Sequence, residues 1–152
     1  MADTSHHFSS NVQQAYVNEL AGSYFMTAGM YVRAASRLQL AGDEIPRLTL
    51  LLFALELALK AYLVDAGTPE KTLKLANVRH DLKELHALAM TAGLQLANSH
   101  IVAVIDDYRD DHKGHSFRYG GRNYVDLGDP DRAFRAISAT VDEIGKVLNR
   151  RL

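Results

Sequence analysis

Apolar residues recur at steps of three and four along most of the chain, and this spacing predicts amphipathic helices. The first long run follows Asn11, whose side chain can cap a helix by accepting a hydrogen bond from a first-turn amide. Residues 1–10 are polar, so we expect a flexible lead-in there and a single domain over residues 11–152. The positions predicted to be buried on the first helix are Val12, Tyr16, Leu20, Tyr24, Thr27, Tyr31, Ala34 and Leu38.

The second predicted helix, from Pro46 to Ala66, is apolar on nearly every side and should be the most enclosed element. Gly67 ends it, because glycine readily adopts the conformation that closes a helix. Its one polar stripe consists of Glu56 and Lys60, one turn apart. Since the rest of this helix is enclosed, we expect these two charges to reach a groove, a partner or another charge.

Three further helices follow, at about His80–Thr91, at about Asn98–Asp111 and from Asp129–Pro130 onwards. A connector with one short helical turn near Thr68 precedes them. The glycine-rich run Lys113–Leu127 predicts a loop with a brief hairpin at "RYGGRNYV". Five helices with short connections and no convincing strand predict an all-α fold, an up-and-down bundle of four to five helices.

Composition narrows the function classes. A net charge of −1 excludes a nucleic-acid binder that is basic over its whole surface, although a local basic patch remains compatible with it. The absence of cysteine excludes disulfides, thiolate catalysis and cysteine-type zinc sites, and it favours a cytoplasmic location. The most apolar stretch, Leu48–Val64, is shorter than the roughly 20 residues of a membrane span and contains two charges.

The stretch "YRDDHKGHSFRYGG", from Tyr108 to Gly121, concentrates the candidate chemistry. Metal-independent RNA cleavage needs a base for the 2′-hydroxyl and a cation for the phosphate, and Arg109 with His115 could supply them. On a continuous helix the two residues would be about 240° apart, so Gly114 would have to end the helix and turn His115 back.

Two other interpretations of this stretch stay open. In the first it is a frayed helix end, with Arg109 paired to Asp106 or Asp111 at the surface. In the second, His112 and His115 join Asp107 and Asp111 in a metal site, which the nearby arginines disfavour. We therefore expect no metal and no cofactor.

Arg118, between Phe117 and Tyr119, is the most suggestive phosphate ligand, because aromatic neighbours can anchor a loop while the guanidinium faces phosphate. An equally good alternative buries Arg118 against Glu56 and closes the bundle. His80 could also be the charge that pairs with Glu56, although a ring hydrogen-bonded to backbone near the start of its helix is the more common arrangement.

Three segments in order, "ALELALKAYLVDAG", "RHDLKELHALA" and "FRYGG", resemble the HEPN superfamily of nucleotide-binding helical bundles from higher eukaryotes and prokaryotes. The resemblance covers about Pro46 to Gly120, half of the chain. One branch of that family consists of metal-independent ribonucleases with an arginine and a histidine four to six residues apart. Arg109 and His115, with five residues between them and Asp110 after the arginine, fit that spacing.

The other branch binds nucleotides or a partner nucleotidyltransferase without cleavage, and often carries an arginine-tyrosine-proline end to the fourth helix. Arg118–Tyr119 fits that ending, except that Gly120 replaces the proline. The resemblance thus implies a non-catalytic nucleotide-, RNA- or partner-binding module, with a ribonuclease of toxin or defence type as the alternative. A structural interaction protein without a ligand is the second alternative. We expect a homodimer formed through helix faces, no membrane association, and ligand-binding roles for Glu56, Lys60, His80, His112, Arg118 and Tyr119.

Overall fold

The computed structural model describes residues 4–119 and 127–149, with side chains for 10–117, 119 and 127–149. These ranges contain seven helices and no strand, so the all-α prediction is confirmed. Five helices are long and two have a single turn. The helices are α1 (Thr4–Ser36), α2 (Glu44–Asp65), α3 (Glu70–Leu73), α4 (Leu82–Thr91), α5 (His100–Lys113), α6 (Ser116–Tyr119) and α7 (Pro130–Asn149).

The centre of the bundle is α2, which α1 and α7 flank along its length while α4 and α5 cover the remaining side. Six of its eight leucines are buried, with 0–1% of their surface exposed, which confirms the prediction that it is the most enclosed helix. Each such leucine contributes about 1.5–3 kcal/mol through the removal of its side chain from water. A helix enclosed on all sides has little room for charge, so its two charged residues need partners nearby.

α1 packs on α2 through a stripe of small residues, Ala21, Ala28 and Ala35, all of them buried. The prediction that Val12 and Tyr16 face the core is wrong, because both are more than half exposed. The alanines bring the two helices close, and the apolar residues of the opposite face are left outside.

Several boundaries differ from those predicted. α1 begins at Thr4 rather than at Asn11, so most of the segment expected to be a flexible lead-in is helical. α4 begins at Leu82 with Asp81 as its cap, and α5 extends to Lys113. The predicted loop after Lys113 contains α6, and most of the predicted hairpin lies outside the described residues.

α7 approaches α1 very closely at Gly145. A Cβ atom on this glycine would lie 2.6 Å from the Phe25 ring, which is closer than side chains tolerate. Glycine at this position therefore lets the last helix close the bundle. Within the described ranges, no helix combines the length and the apolar character that would be needed to cross a membrane.

Candidate functional site

Glu56 is the centre of a buried polar cluster at the end of the bundle where α2, α4 and α5 meet. Only 3% of its surface is exposed. Its Oε1 accepts a hydrogen bond from Lys60 Nζ at 2.6 Å, one turn further along α2. Its Oε2 lies 2.6 Å from His112 Nε2, and His80 Nδ1 lies 3.2 Å from the same oxygen. The two charges of α2 thus pair with each other and with two histidines.

The hydrogen-bond pattern fixes which ring nitrogens carry protons. Burial alone would raise the pKa of Glu56, but hydrogen bonds from His112 and Lys60 outweigh it and lower this pKa to about 2. An ionised carboxylate only accepts hydrogen bonds, so His112 Nε2 and His80 Nδ1 must both donate. In the neutral form of His80, the lone pair is therefore on Nε2. This side chain is one-third exposed.

Asp81, the residue after His80, is the centre of a second cluster. It is buried, and its Oδ1 caps α4 by accepting hydrogen bonds from the amides of Lys83 at 3.1 Å and Glu84 at 3.3 Å. Arg109 grips it with both ends of its fork, Nε to Oδ1 at 2.9 Å and Nη2 to Oδ2 at 2.8 Å. Lys113 Nζ adds a contact at 3.1 Å to Oδ2. These donors, with the Arg109 guanidinium first, hold the pKa of Asp81 well below its usual range.

Arg109 and Lys113 reach the same carboxylate because residues four apart lie on one face of a helix. The prediction that Arg109 pairs with Asp106 or Asp111 is therefore wrong. Asp81 is 28 residues away in sequence, and its position at the start of α4 places it against the last turns of α5. Its bidentate geometry also raises the pKa of Arg109, so the guanidinium stays charged.

His115 lies just beyond the end of α5, where Gly114 is the C-cap. It has a φ of +56°, the left-handed region that non-glycine residues rarely adopt. This turn brings its ring to 5.1 Å from the His80 ring, in an edge-on arrangement, and to 6.3 Å from the Tyr119 ring. The backbone does turn His115 back at Gly114, as expected, but towards His80.

An aromatic wall closes the inner side of the cluster. Tyr31 of α1 lies 6.3 Å from Phe53 of α2, and Phe53 meets the edge of His112 at 4.9 Å between ring centroids. The crevice between His112 and His115 has a volume of only about 10 Å³. No ligand of useful size fits inside it, so a ligand would contact the outer edge of the cluster.

Glu56, His80 and His112 also form a group with metal-ligand chemistry, since their ligand atoms lie within 4.8 Å of one another. This set differs from the one considered for the sequence, in which His112 joined His115 and two aspartates. Lys60 disfavours a cation here, because its ammonium lies 2.6 Å from the same carboxylate. The expectation of no metal and no cofactor stays a prediction.

The structure brings together most, but not all, of the predicted ligand residues. Lys60, His80 and His112 converge on Glu56. Tyr119 is 75% exposed beside His115. The side chain of Arg118 lies outside the described residues, so its predicted role is untested. Of the two roles considered for His80, a backbone hydrogen bond near its helix and a contact with Glu56, the structure shows the contact with Glu56.

The sequence interpretation missed the role of Asp81, although a signal for it exists. "DLKE", Asp81 to Glu84, has an acid at a helix start and a glutamate three residues later, a pattern typical of a capping box. A separate cavity of about 400 Å³ lies between the start of α5 and α7, lined by His100, Arg132 and Arg135 among others. It contains none of the predicted ligand residues.

Comparison of the chain with protein-family models, with curated proteins and with solved structures finds no match. The resemblance to HEPN proteins therefore rests on the residues quoted above and stays a prediction.

Proposed function

We propose that this protein binds a phosphate-bearing ligand, a nucleotide or RNA, at an outer edge formed by His80, Arg109, Lys113 and His115. We call these four residues the basic edge. The observation that carries the proposal is a pair of buried carboxylates on the inner side of this edge. Glu56 accepts a hydrogen bond from His80, and Asp81 accepts hydrogen bonds from Arg109 and Lys113. Phosphate oxygens can accept hydrogen bonds from the N–H groups of Arg109 and Lys113 that Asp81 leaves unused.

The charge balance favours an anion at the edge itself. Asp81 carries one negative charge against the positive charges of Arg109 and Lys113, which leaves one positive charge in excess. Lys60 balances Glu56, so the Glu56 cluster does not cancel this excess. The exposed Asp110, also on α5, opposes it and limits the surface that favours an anion.

A binding titration tests this function. Fluorescence anisotropy of a labelled oligoribonucleotide and of a labelled ATP, at low salt, should give saturable binding to the wild type. Lys113→Gln should weaken it by roughly fivefold, the effect of losing one phosphate contact. Lys83→Gln is the matched control, because the Lys83 side chain pairs with the exposed Asp106 at 3.7 Å and is not one of the four residues of the edge. Equal binding by both variants, or none by the wild type, would contradict the proposal.

A metal-independent ribonuclease is the second candidate, and the contact between His80 and His115 favours it. His80 Nε2 would take the proton of the 2′-hydroxyl as its oxygen attacks phosphorus, and His115 would protonate the departing 5′-oxygen. This scheme keeps His115 from the sequence hypothesis and gives Arg109, held by Asp81, the role of binding phosphate.

The ribonuclease is tested on structured and unstructured RNA in excess EDTA. Cleavage by the wild type that is lost in His115→Ala and in His80→Gln would support it. If no cleavage occurs while the binding titration succeeds, the non-catalytic function stands alone. Cleavage of equal rate in all three proteins indicates a contaminating nuclease. A nucleotidyltransferase-like partner, a toxin or defence role and a cytoplasmic location remain predictions.

A further inference from the structure

The outer face of α1 carries an unbroken seam of exposed residues at steps of four and three. It lies opposite the alanines that pack on α2, and all of its residues are exposed; at its N-terminal end the Tyr16 hydroxyl donates a hydrogen bond of 2.8 Å to Glu70 of α3. Steps of four and three are the heptad spacing by which two helices pack side by side. The seam consists of Val12, Tyr16, Glu19, Ser23, Met26, Met30 and Arg33 on α1, and it continues with Arg37, directly after the last residue of the helix.

The middle of this seam is apolar and strongly exposed. Met26 is 69% and Met30 54% exposed, one turn apart, and Leu40, just after the helix, is 78% exposed. Large apolar side chains that share one exposed face indicate an interaction surface, whereas isolated ones do not. Methionine suits such a surface because its flexible side chain adapts to a partner.

Two glycines flank the seam one heptad apart, and no close contact among the described residues requires them. A Cβ atom at Gly22 would meet no atom within 4 Å, and one at Gly29 would meet only the flexible end of Arg33, at 3.4 Å. Glycine inside a helix is unfavourable, so a position without a neighbour should favour alanine. Gly145 shows the contrast, since Phe25 fills the space beside it. Close approach by another helix would account for Gly22 and Gly29.

The charges along the seam complement those of a second copy when the two helices pack antiparallel, but not when they pack in parallel. Its N-terminal half carries Glu19, and its C-terminal half carries Arg33 and Arg37. Within the described part of the chain, none of these three side chains makes an ion pair. Two parallel copies would place each charge against its own kind, which is unfavourable. Two antiparallel copies place the acidic half of each against the basic half of the other.

We propose that α1 is the interface of an antiparallel homodimer. In the heptad register that fits best, Met26 of each copy packs on Met30 of the second copy around the two-fold axis. Glu19 then faces Arg37 of the second copy. The glycines at the flank allow the helices to approach closely. This interface does not depend on the basic edge or on any ligand.

Charge reversal tests the register, with light scattering over a concentration series as the measurement. Wild type should be dimeric, and Glu19→Arg and Arg37→Glu should each raise the dissociation constant by roughly tenfold or more. An equal mixture of the two variants should dimerise again, because both facing pairs then have opposite charges. Lys71→Glu, an exposed reversal on α3 outside the seam, is the control and should leave the dimer unchanged.

Cysteine cross-linking tests the orientation of the two helices. Because the sequence contains no cysteine, each introduced cysteine is the only thiol that can form a disulfide. A mixture of Glu19→Cys and Arg37→Cys should form a disulfide-linked dimer under mild oxidation, and neither variant alone should do so. Gly22→Leu should keep the helix, since nothing contacts that position, and should abolish the dimer by steric bulk. Circular dichroism and thermal melting of each variant confirm folding.

Three outcomes would overturn the proposal. The first is a wild type that stays monomeric at every concentration. The second is a dimer that Gly22→Leu and both charge reversals leave intact while the variants are folded. The third is cross-linking of either single-cysteine variant with itself, because a residue meets its own copy in a parallel pair.

Discussion

Glu56 and Asp81 are both buried carboxylates with several donors, yet their surroundings differ in kind. Glu56 projects from the middle of the most enclosed helix, and two of its three side-chain donors are histidines. Asp81 caps a helix, and its side-chain donors are an arginine and a lysine. The first cluster thus orients two imidazole rings, and the second joins the start of α4 to the two cations of α5.

The difference assigns separate tasks to the two clusters. Asp81 fixes the start of α4 to the end of α5, so it holds the geometry of the basic edge. Glu56 orients His80 and sets which of its nitrogens faces outward. The support for the helix ends therefore lies beside the group that orients His80, and separate substitutions of Glu56 and Asp81 distinguish the two.

Glu56→Gln should have the largest effect on stability. It removes the charge partner of Lys60, whose side chain is 11% exposed, and an unpaired buried charge costs about 3–5 kcal/mol of the free energy of unfolding. Urea denaturation measures the loss. The matched control is the double variant Glu56→Gln, Lys60→Met, which should recover most of it because no charge is left unpaired. A loss below 1 kcal/mol in the single variant would contradict the buried pair.

Acid should destabilise the protein through the same carboxylate. The pKa of Glu56 is about 2 in the folded protein, against 4.5 for an ordinary glutamate. A lowered pKa contributes stability that is present above pH 4.5 and is lost as the pH falls towards 2. The contribution is about 3 kcal/mol, since each pKa unit corresponds to about 1.4 kcal/mol.

Melting temperatures between pH 2 and pH 6 check this dependence. Asp81 contributes in the same direction, because its pKa is also lowered. Glu56→Gln should flatten the curve over the upper part of the range and leave the Asp81 contribution below it. Curves of the same slope for wild type and variant would show that Glu56 is not the titrating group.

Asp81→Ala should cost less than the loss of Glu56, about 2 kcal/mol, because Arg109 and Lys113 can return to water while the helix cap is lost. Asp81→Asn is the matched control. Asparagine caps a helix as well as aspartate does, so only the charge is removed, and the cost should fall to about 1 kcal/mol. If the two variants were equally destabilised, the cap would contribute nothing.

The smallest effect belongs to the exposed pair between Lys83 and Asp106. Both side chains are more than half exposed and their atoms are 3.7 Å apart. Asp106→Asn should change the free energy of unfolding by no more than about 0.5 kcal/mol. This variant is the baseline for the two buried carboxylates. If Asp106→Asn lowered the free energy of unfolding as much as Asp81→Asn does, burial would not distinguish the two ion pairs.

The sequence predicted the helices well and the contacts of the site less well. Helical spacing, glycine ends and the Asp129–Pro130 start are local signals, and they located the five long helices with small errors at the ends, apart from the start of α1, which lies well before the predicted Asn11. The pair Glu56–Lys60 was predictable for the same reason, since both residues lie on one helix. The contact of His112 with Glu56 joins residues 56 apart, which only the packing of α5 on α2 determines.

The misplaced partner of Arg109 has a related cause. Asp106 and Asp111 are close to it in sequence, and nearness in sequence favoured them over an aspartate on another helix. The buried carboxylate of Asp81 caps α4 and can still accept further hydrogen bonds. It therefore attracts the Arg109 guanidinium more strongly than an exposed aspartate nearby in sequence does. On α1, the regular apolar spacing was correct as a helix signal but did not tell the inner face from the outer one.

The left-handed backbone conformation of His115 favours glycine over histidine at this position. A histidine at φ +56° lowers the stability of the folded protein through backbone strain, which glycine would avoid because it has no Cβ atom. His115→Gly should therefore leave the folded protein as stable as the wild type, or more so, while removing the imidazole. If it also abolishes ligand binding, the imidazole of His115 has a role in binding that outweighs the conformational cost of histidine at this position.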